Sequence, residues 1–266
     1  MRISVIVPAY NEEKFVEKSL NSLVQQTLKP RQIIVVNDGS TDQTLKIVSK
    51  FPVTIVSLPV KKKAMIERVP YVLKAGSHIL EDFDYVGILD ADTILEPEYY
   101  EKLVRCFQKD ENLGIAGGKL NNQPSTGLIL GLIPYVYGCN RLYTKKCWLK
   151  INGGKVMKPV PTWDTYHNIL ARMLGFKTRR FDYIQSWALR QAGKGKAFNK
   201  GYCSYQIGYY WQFLLLRAIK NYSPKMIAGY LKAKFSGEKQ YPIKPYVRYL
   251  QSCRLKRLLI KSCPEA

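Results

Sequence analysis

The chain has 266 residues, enough for one full core with an appended segment and too few for two large independent domains. Its net charge of +22 is unevenly placed, with 16 Lys/Arg and 16 Asp/Glu in residues 1–120 but 26 and 4 in residues 121–266. The second part therefore suits polyanions or anionic lipid headgroups, while six cysteines without a Cys-X-X-Cys pair or a His at finger spacing exclude a zinc finger and fit free thiols.

Met1-Arg2-Ile3-Ser4-Val5 enters a strand pattern without an apolar leader region or a small-residue cleavage site, so the cytoplasm is the expected location. Ile3–Val7 reads as a buried strand broken by Pro8. Asn11 is the expected N-cap of an amphipathic helix carrying Phe15, Val16, Leu20, Leu23 and Val24, which Pro30 stops. Ile33–Val36 gives a second strand, ending in the turn-rich Asn37–Asp42, whose Asp42 caps a helix over Gln43–Lys50. Val53–Ser57 reads as a strand, Ala64–Ser77 as a helix and Tyr85–Leu89 as a strand. A helix over Pro97–Lys109, with Pro at its first position, and a strand over Leu113–Gly117 follow. This alternation predicts an α/β fold with a largely parallel sheet flanked by helices.

After Gly118 the periodicity weakens. Thr162-Trp163-Asp164 introduces a helix over Tyr166–Leu174, closed by Gly175. From Tyr205 onward, aromatic and apolar residues lead into basic amphipathic helices such as Val247–Lys261. Residues 1–204 are thus expected to form one compact domain and 205–266 a C-terminal basic helical segment. No apolar run reaches the roughly 20 residues that a spanning helix needs.

Three strand ends carry polar signals: Pro8–Glu13, Asn37–Asp42 and Asp90-Ala91-Asp92. In an open α/β sheet, ligands bind outside the carboxyl ends of the strands, so the three would form one site. Two short carboxylates one residue apart suit Mg²⁺ or Mn²⁺, which take hard oxygen ligands and leave positions for substrate phosphates. A solvated loop after the strand is the alternative use of the same residues.

Read in order, Val5-Ile6-Val7-Pro8-Ala9-Tyr10-Asn11-Glu12, Ile34-Val35-Val36-Asn37-Asp38-Gly39-Ser40-Thr41-Asp42 and Asp90-Ala91-Asp92 resemble the motifs of the family 2 nucleotide-sugar glycosyltransferases. Downstream, Arg141–Lys146, Gly153-Gly154, Trp163-Asp164 and Arg172–Gly175 follow that family's basic pair, glycine pair, acidic residue and helix-ending glycine. The resemblance covers residues 1–220 or so. It implies a GT-A (Rossmann-like) fold, with 1–120 as nucleotide-binding part and 121–204 as acceptor-binding part.

Roles follow from the resemblance residue by residue. Pro8, Ala9, Tyr10 and Glu12 match the loop around the nucleoside, Asp38 the carboxylate at the base, and Asp90 the aspartate near the ribose. Asp92 matches the residue that binds Mn or Mg on the diphosphate, with Ala91 between the two. Arg68 stands where the family often has an Arg near the nucleotide; the neighbouring Lys61, Lys62 and Lys63 read as a solvated face. Asp164 matches the general base of an inverting displacement. The charge count points to it independently, because it is one of four acidic residues after position 120. Trp163 departs from the family, which usually has an acidic residue there. Trp163 and Arg190 are candidate contacts to diphosphate or acceptor, Arg190 as the first residue of the basic, glycine-rich Arg190–Lys196. The chain lacks the Gln-X-X-Arg-Trp of processive synthases, which favours single sugar transfer to a glycan or lipid-linked acceptor.

Tyr209–Leu216 with Arg217 and Lys220, and Tyr249, Leu250, Leu255, Leu258, Leu259 and Ile260 interleaved with Arg248, Arg254, Lys256, Arg257 and Lys261, pair apolar with basic residues. Such helices lie in the plane of an anionic membrane, here the inner face of the cell membrane, or else pack on the catalytic domain or a second subunit. Two rival functions remain. Asp90-Ala91-Asp92-Thr93 also fits the nucleophile motif of haloacid-dehalogenase-like phosphatases, although the later acidic pair they need is absent. A nucleic-acid-binding module fits the charge but shows no RNA-binding signature or helix-turn-helix, and is not favoured.

Overall fold

The computed structural model describes residues 1–59, 68–122, 128–129, 133–160, 162–190, 197–220 and 222–260, of which 128–129, 133–134, 220 and 254–260 by backbone alone. The chain forms two compact units, one of residues 1–125 and 135–191, the other of 126–134 and 192–266. The boundary thus falls at 191 rather than at the expected 204, because the helix that follows it packs with the C-terminal helices.

In the first unit, β1 (Ile3–Ala9), β2 (Gln32–Asn37), β3 (Thr54–Ser57) and β4 (Tyr85–Leu89) are parallel, in the order β3-β2-β1-β4. β1 and β2 are β-branched runs buried along nearly their whole length, as strands covered on both faces must be. The sheet continues as β9-β6-β10-β5 through β9 (Asn140–Thr144), β6 (Leu113–Asn121), β10 (Lys177–Ala188) and β5 (Thr93–Leu95). Here β9 runs antiparallel between β4 and β6, and β5 antiparallel against β10. The expected largely parallel α/β sheet is present, with an antiparallel strand inserted where the sequence showed no strong period.

One face of the sheet is covered by α1 (Val16–Val24), α2 (Thr44–Val48) and α4 (Tyr99–Lys109), through Val16, Leu20, Leu23, Val48, Leu103 and Phe107. The other is covered by α3 (Val69–His78), α5 (Lys145–Asn152) and α6 (Trp163–Met173), through Val72, Leu73, Trp148, Ile151 and Ala171. Asn11 is not the cap of α1. It adopts φ 54°, left-handed, and spends its side chain on the next loop, while α1 begins at Val16. α6 begins at Trp163, three residues before the expected start, which puts Trp163 and Asp164 in its first turn.

The second unit holds α7 (Ala197–Gln206), α8 (Trp211–Lys220), α9 (Pro224–Phe235) and α10 (Lys244–Ile260), with the short pair β7 (Leu128–Ile129) and β8 (Ile133–Pro134). α7 and α9 cross at Gly201 and Gly229, where any Cβ would collide with the main-chain carbonyls of Met226 and Phe198. Among the described residues no helix is long and apolar enough to cross a membrane.

Candidate active site

The loops after β1 and β2 are tied together by short-range hydrogen bonds. The Asp38 amide donates to the Ala9 carbonyl at 2.8 Å, and the Thr41 amide to Asn11 Oδ1 at 2.9 Å. The Glu12 amide donates to Thr44 Oγ1 at 2.7 Å, and Asp42 accepts from the Glu13 amide at 3.1 Å and from the Thr44 amide at 2.9 Å. Asp42 thus accepts the amide of Thr44, the first residue of α2, while the N-cap position itself is Gln43 rather than the expected Asp42. Pro8 is half-buried, Ala9 buried and Tyr10 exposed on this edge. Asp38 is buried and accepts a hydrogen bond from Arg68 Nε at 2.5 Å, so the residue just before α3 meets the end of β2.

β4 ends at Leu89, and the chain turns through Asp90-Ala91-Asp92 into β5. The Asp90 amide donates to the Cys139 carbonyl at 3.0 Å, and the Asp90 carbonyl accepts from the Thr93 amide at 3.0 Å and from Ser19 Oγ at 3.2 Å. The main-chain amide and carbonyl of Asp90 are therefore both committed. Because β10 lies against β5, the Leu189 amide reaches the Asp92 carbonyl at 2.8 Å and Arg190 arrives at the site. Arg190 Nη2 donates to Glu12 Oε2, Nε stands 3.5 Å from Asp92 Oδ2, and the guanidinium lies over the Phe15 ring at 5.3 Å.

The electrostatics follow from this crowding. Burial pushes the Asp90 carboxyl up to about 7, and the charges of Asp92, Asp164 and Glu12 add to the shift while Arg141 opposes it. Burial also raises Asp92 and Glu12, with Arg190 pulling both back. Burial and the two aspartates raise the Cys139 thiol beside them. Four carboxylates from two loops and a helix start thus act on one another, with Arg190 and Arg141 as their neighbouring cations. Among the described residues no group of three or more His, Cys, Asp and Glu is arranged to hold a metal alone. Asp92, half-buried and hard in its donor atoms, fits a divalent cation that takes its remaining oxygens from a bound phosphate or from water.

Asp164 Oδ1 accepts the Thr165 amide at 2.7 Å, and its Oδ2 accepts the Tyr135 hydroxyl. Beneath it lies Arg141, fully buried on β9. Its guanidinium donates to the Val136, Tyr137 and Asp164 carbonyls and to the Tyr143 hydroxyl, and sits 4.9 Å from the Trp163 ring. Gly138 passes beneath this group, where a Cβ would stand 3.1 Å from Trp163 Cζ2 and 3.3 Å from Asp164 Cβ. Trp163 is buried against Arg141 and His167.

Arg141 has only protons to give, so the Tyr143 oxygen accepts one and the phenol proton passes to His167 Nδ1 at 2.9 Å. His167 is fully buried, and burial together with the Arg141 charge lowers it to about 3. The unfolded chain therefore takes up a proton near pH 6.5 that the folded chain refuses. Stability from this residue falls as pH drops through 6.5, and the loss levels off near pH 3. Asp90, held high, acts in the opposite sense over the same range, so the informative quantity is a difference. From pH 7 to pH 5, His167→Asn should gain about 2 kcal/mol of stability relative to wild type. Denaturant midpoints across that range test this; parallel curves would refute it.

The structure brings Pro8, Ala9, Tyr10, Glu12, Asp38, Arg68, Asp90, Ala91, Asp92, Asp164 and Arg190 to one edge of the sheet. Lys61, Lys62, Lys63 and residues 191–196 lie outside the described residues. Sequence reasoning missed Tyr135 and the burial of Arg141. Tyr135 is 29 positions from Asp164, and no spacing rule links them.

A family model described as glycosyl transferase family 2 matches residues 4–166, more than half of the chain. An uncharacterized glycosyltransferase of Haemophilus influenzae is 34% identical over 44% of this chain and 36% of its own length. A poly-beta-1,6-N-acetyl-D-glucosamine synthase of Staphylococcus epidermidis is 27% identical over 68% of this chain and 46% of its own. The chain thus spans less than half the length of either relative. In fold it is similar to the mannosyltransferase PcManGT from Pyrobaculum calidifontis, solved with GDP-Man and Mn2+, at TM-score 0.61 and 16% identity over 98% of this chain and 88% of that one. It is also similar to S. aureus TarS 1-349 solved with UDP, at TM-score 0.60 and 17% identity over 97% and 71%. With its three strand-end motifs converging on one edge and the family match running from β1 into α6, the chain belongs to glycosyl transferase family 2.

Proposed function

We propose that the chain is an inverting, metal-dependent glycosyltransferase that moves a sugar from a nucleotide-diphosphate sugar to a hydroxyl of a glycan or lipid-linked acceptor at an anionic cytoplasmic membrane face. The observation that carries this reading is that Arg190 bridges Glu12 after β1 and Asp92 after β4, with Asp90 between these groups and Asp164 adding to its rise. The neighbours of the same fold, solved with UDP or with GDP-Man and Mn2+, support the donor class.

Asp38, held by Arg68, would receive the base, and Tyr10 would cover it from the exposed side of the first loop. An aspartate near pH 7 in its titration both accepts from and donates to hydroxyls, which suits Asp90 to the ribose. Asp92 would hold Mn²⁺ or Mg²⁺, whose Lewis acidity stabilises the charge that develops on the departing diphosphate. Arg190 stands where it can turn from Asp92 to the same phosphate oxygens. Asp164 would take the acceptor's proton at Oδ2, the atom that now accepts the Tyr135 hydroxyl. The phosphatase and nucleic-acid readings have no counterpart in the family match.

The test is a thermal-shift screen with UDP-, GDP- and dTDP-sugars in the presence and absence of Mn²⁺. One nucleotide-sugar with Mn²⁺ should raise Tm by about 5 °C or more near saturation. Indifference to all of them, with and without the cation, would overturn the reading.

A further inference from the structure

The aromatic and basic residues after position 205 divide into two sets. Tyr209, Phe213, Leu214, Ala218, Val247 and Leu250 are buried within the second unit, and Leu214 and Ala218 pack with Met226 and Tyr230 of α9. These side chains are accounted for by the fold. Trp211, Leu215, Leu216 and Ile219 of α8 are exposed, and Tyr222, just beyond its end, is 94% exposed.

At about 100° per residue, Trp211, Leu215 and Ile219 fall within a quarter turn of one another and Leu216 borders them. They form one apolar stripe on the side of α8 opposite its packed face. A monomer seldom leaves such a stripe to water without a use for it.

Charge identifies the occupant. Residues 192–266 carry fifteen Lys/Arg and two acidic residues. Of the two acids, Glu238 is turned inward, accepting the Tyr202 hydroxyl and Gln206 Nε2. Arg217, Lys225, Lys232 and Lys234 are exposed on the same unit. A second copy of this face would set like charges against one another, so the partner must be anionic. The stripe itself offers apolar area with aromatic rings at both ends, the composition that settles at the boundary between headgroups and acyl chains.

We propose that the outer face of α8 docks in the plane of an anionic bilayer, with Trp211, Leu215, Leu216, Ile219 and Tyr222 entering the headgroup boundary and the neighbouring Lys and Arg facing lipid phosphates. This rests on the membrane-face part of the proposed function and names the surface that performs it. Along its described half α10 offers less apolar surface, with Tyr249 exposed and Val247 and Leu250 buried.

The experiment is flotation of the full chain with phosphatidylglycerol/phosphatidylcholine vesicles and with pure phosphatidylcholine vesicles. Wild type should float with the anionic vesicles, and less so as salt shortens the Debye length from about 10 Å to about 3 Å. The triple variant Trp211→Ser, Leu216→Ser, Ile219→Ser keeps every charge and should lose about 30-fold or more in partitioning. Its nucleotide-sugar thermal shift should remain that of wild type. Quenching of tryptophan emission by brominated lipid should be clearly stronger in wild type than in Trp211→Phe, where Trp148 and Trp163 are buried and Trp187 on β10 is the remaining exposed tryptophan.

No flotation of wild type at low salt would overturn membrane attachment altogether. Equal flotation of the triple variant would overturn the assignment to α8 and leave attachment standing. Equal flotation with pure phosphatidylcholine would overturn the electrostatic selection.

Discussion

Asp164→Asn should lower the rate of sugar transfer about 10³-fold while leaving nucleotide-sugar affinity within about twofold of wild type. The amide oxygen of Asn can still accept the Thr165 amide, so the start of α6 keeps its geometry. What it cannot do is take a proton. Single-turnover product formation and calorimetric donor binding, measured side by side, separate the two effects. A variant with near wild-type turnover would remove Asp164 from the chemistry.

Asp92→Asn should abolish the dependence of donor binding on the divalent cation and reduce transfer by about 10²-fold or more. The substitution keeps the size of the side chain and deletes the charge that faces Arg190. Arg190 would then keep Glu12 as its carboxylate partner, and the Mn²⁺-dependent part of the thermal shift should disappear. Mn²⁺ binding followed by electron paramagnetic resonance, with and without nucleoside diphosphate, checks this apart from turnover. Full Mn²⁺ dependence in the variant would place the cation elsewhere.

Much of the nucleotide side was legible in the sequence because local signals and tertiary demands agree there. β4 occupies the span its apolar run predicts, and the turn-rich segments after β1, β2 and β4 do stand together. Asn11 was misread because a residue suited to a cap is equally suited to a left-handed turn, and the neighbouring loop supplied the better partner. β9 was not read at all. Its Arg141 looks like a surface residue, and only carbonyls from distant segments make its burial tolerable. β10 hid for another reason. Its pairing with β6 shifts register between Phe181 and Gln185, which breaks the two-residue alternation that marks a strand. The C-terminal helices show a third limit, since composition cannot say which apolar residues turn inward; Phe213 does and Trp211, two positions earlier, does not.

The position of β9 bears on how the first unit can come into being. It fills the gap between β4 and β6, and its arginine is satisfied by main-chain oxygens just before it and at the start of α6. A chain interrupted after β6 would leave two strand edges open and have no guest for the space between them. The sheet of the first unit is therefore continuous only once β9 is in place, and the hydrogen bonds of Arg141 are complete only once the start of α6 has joined it.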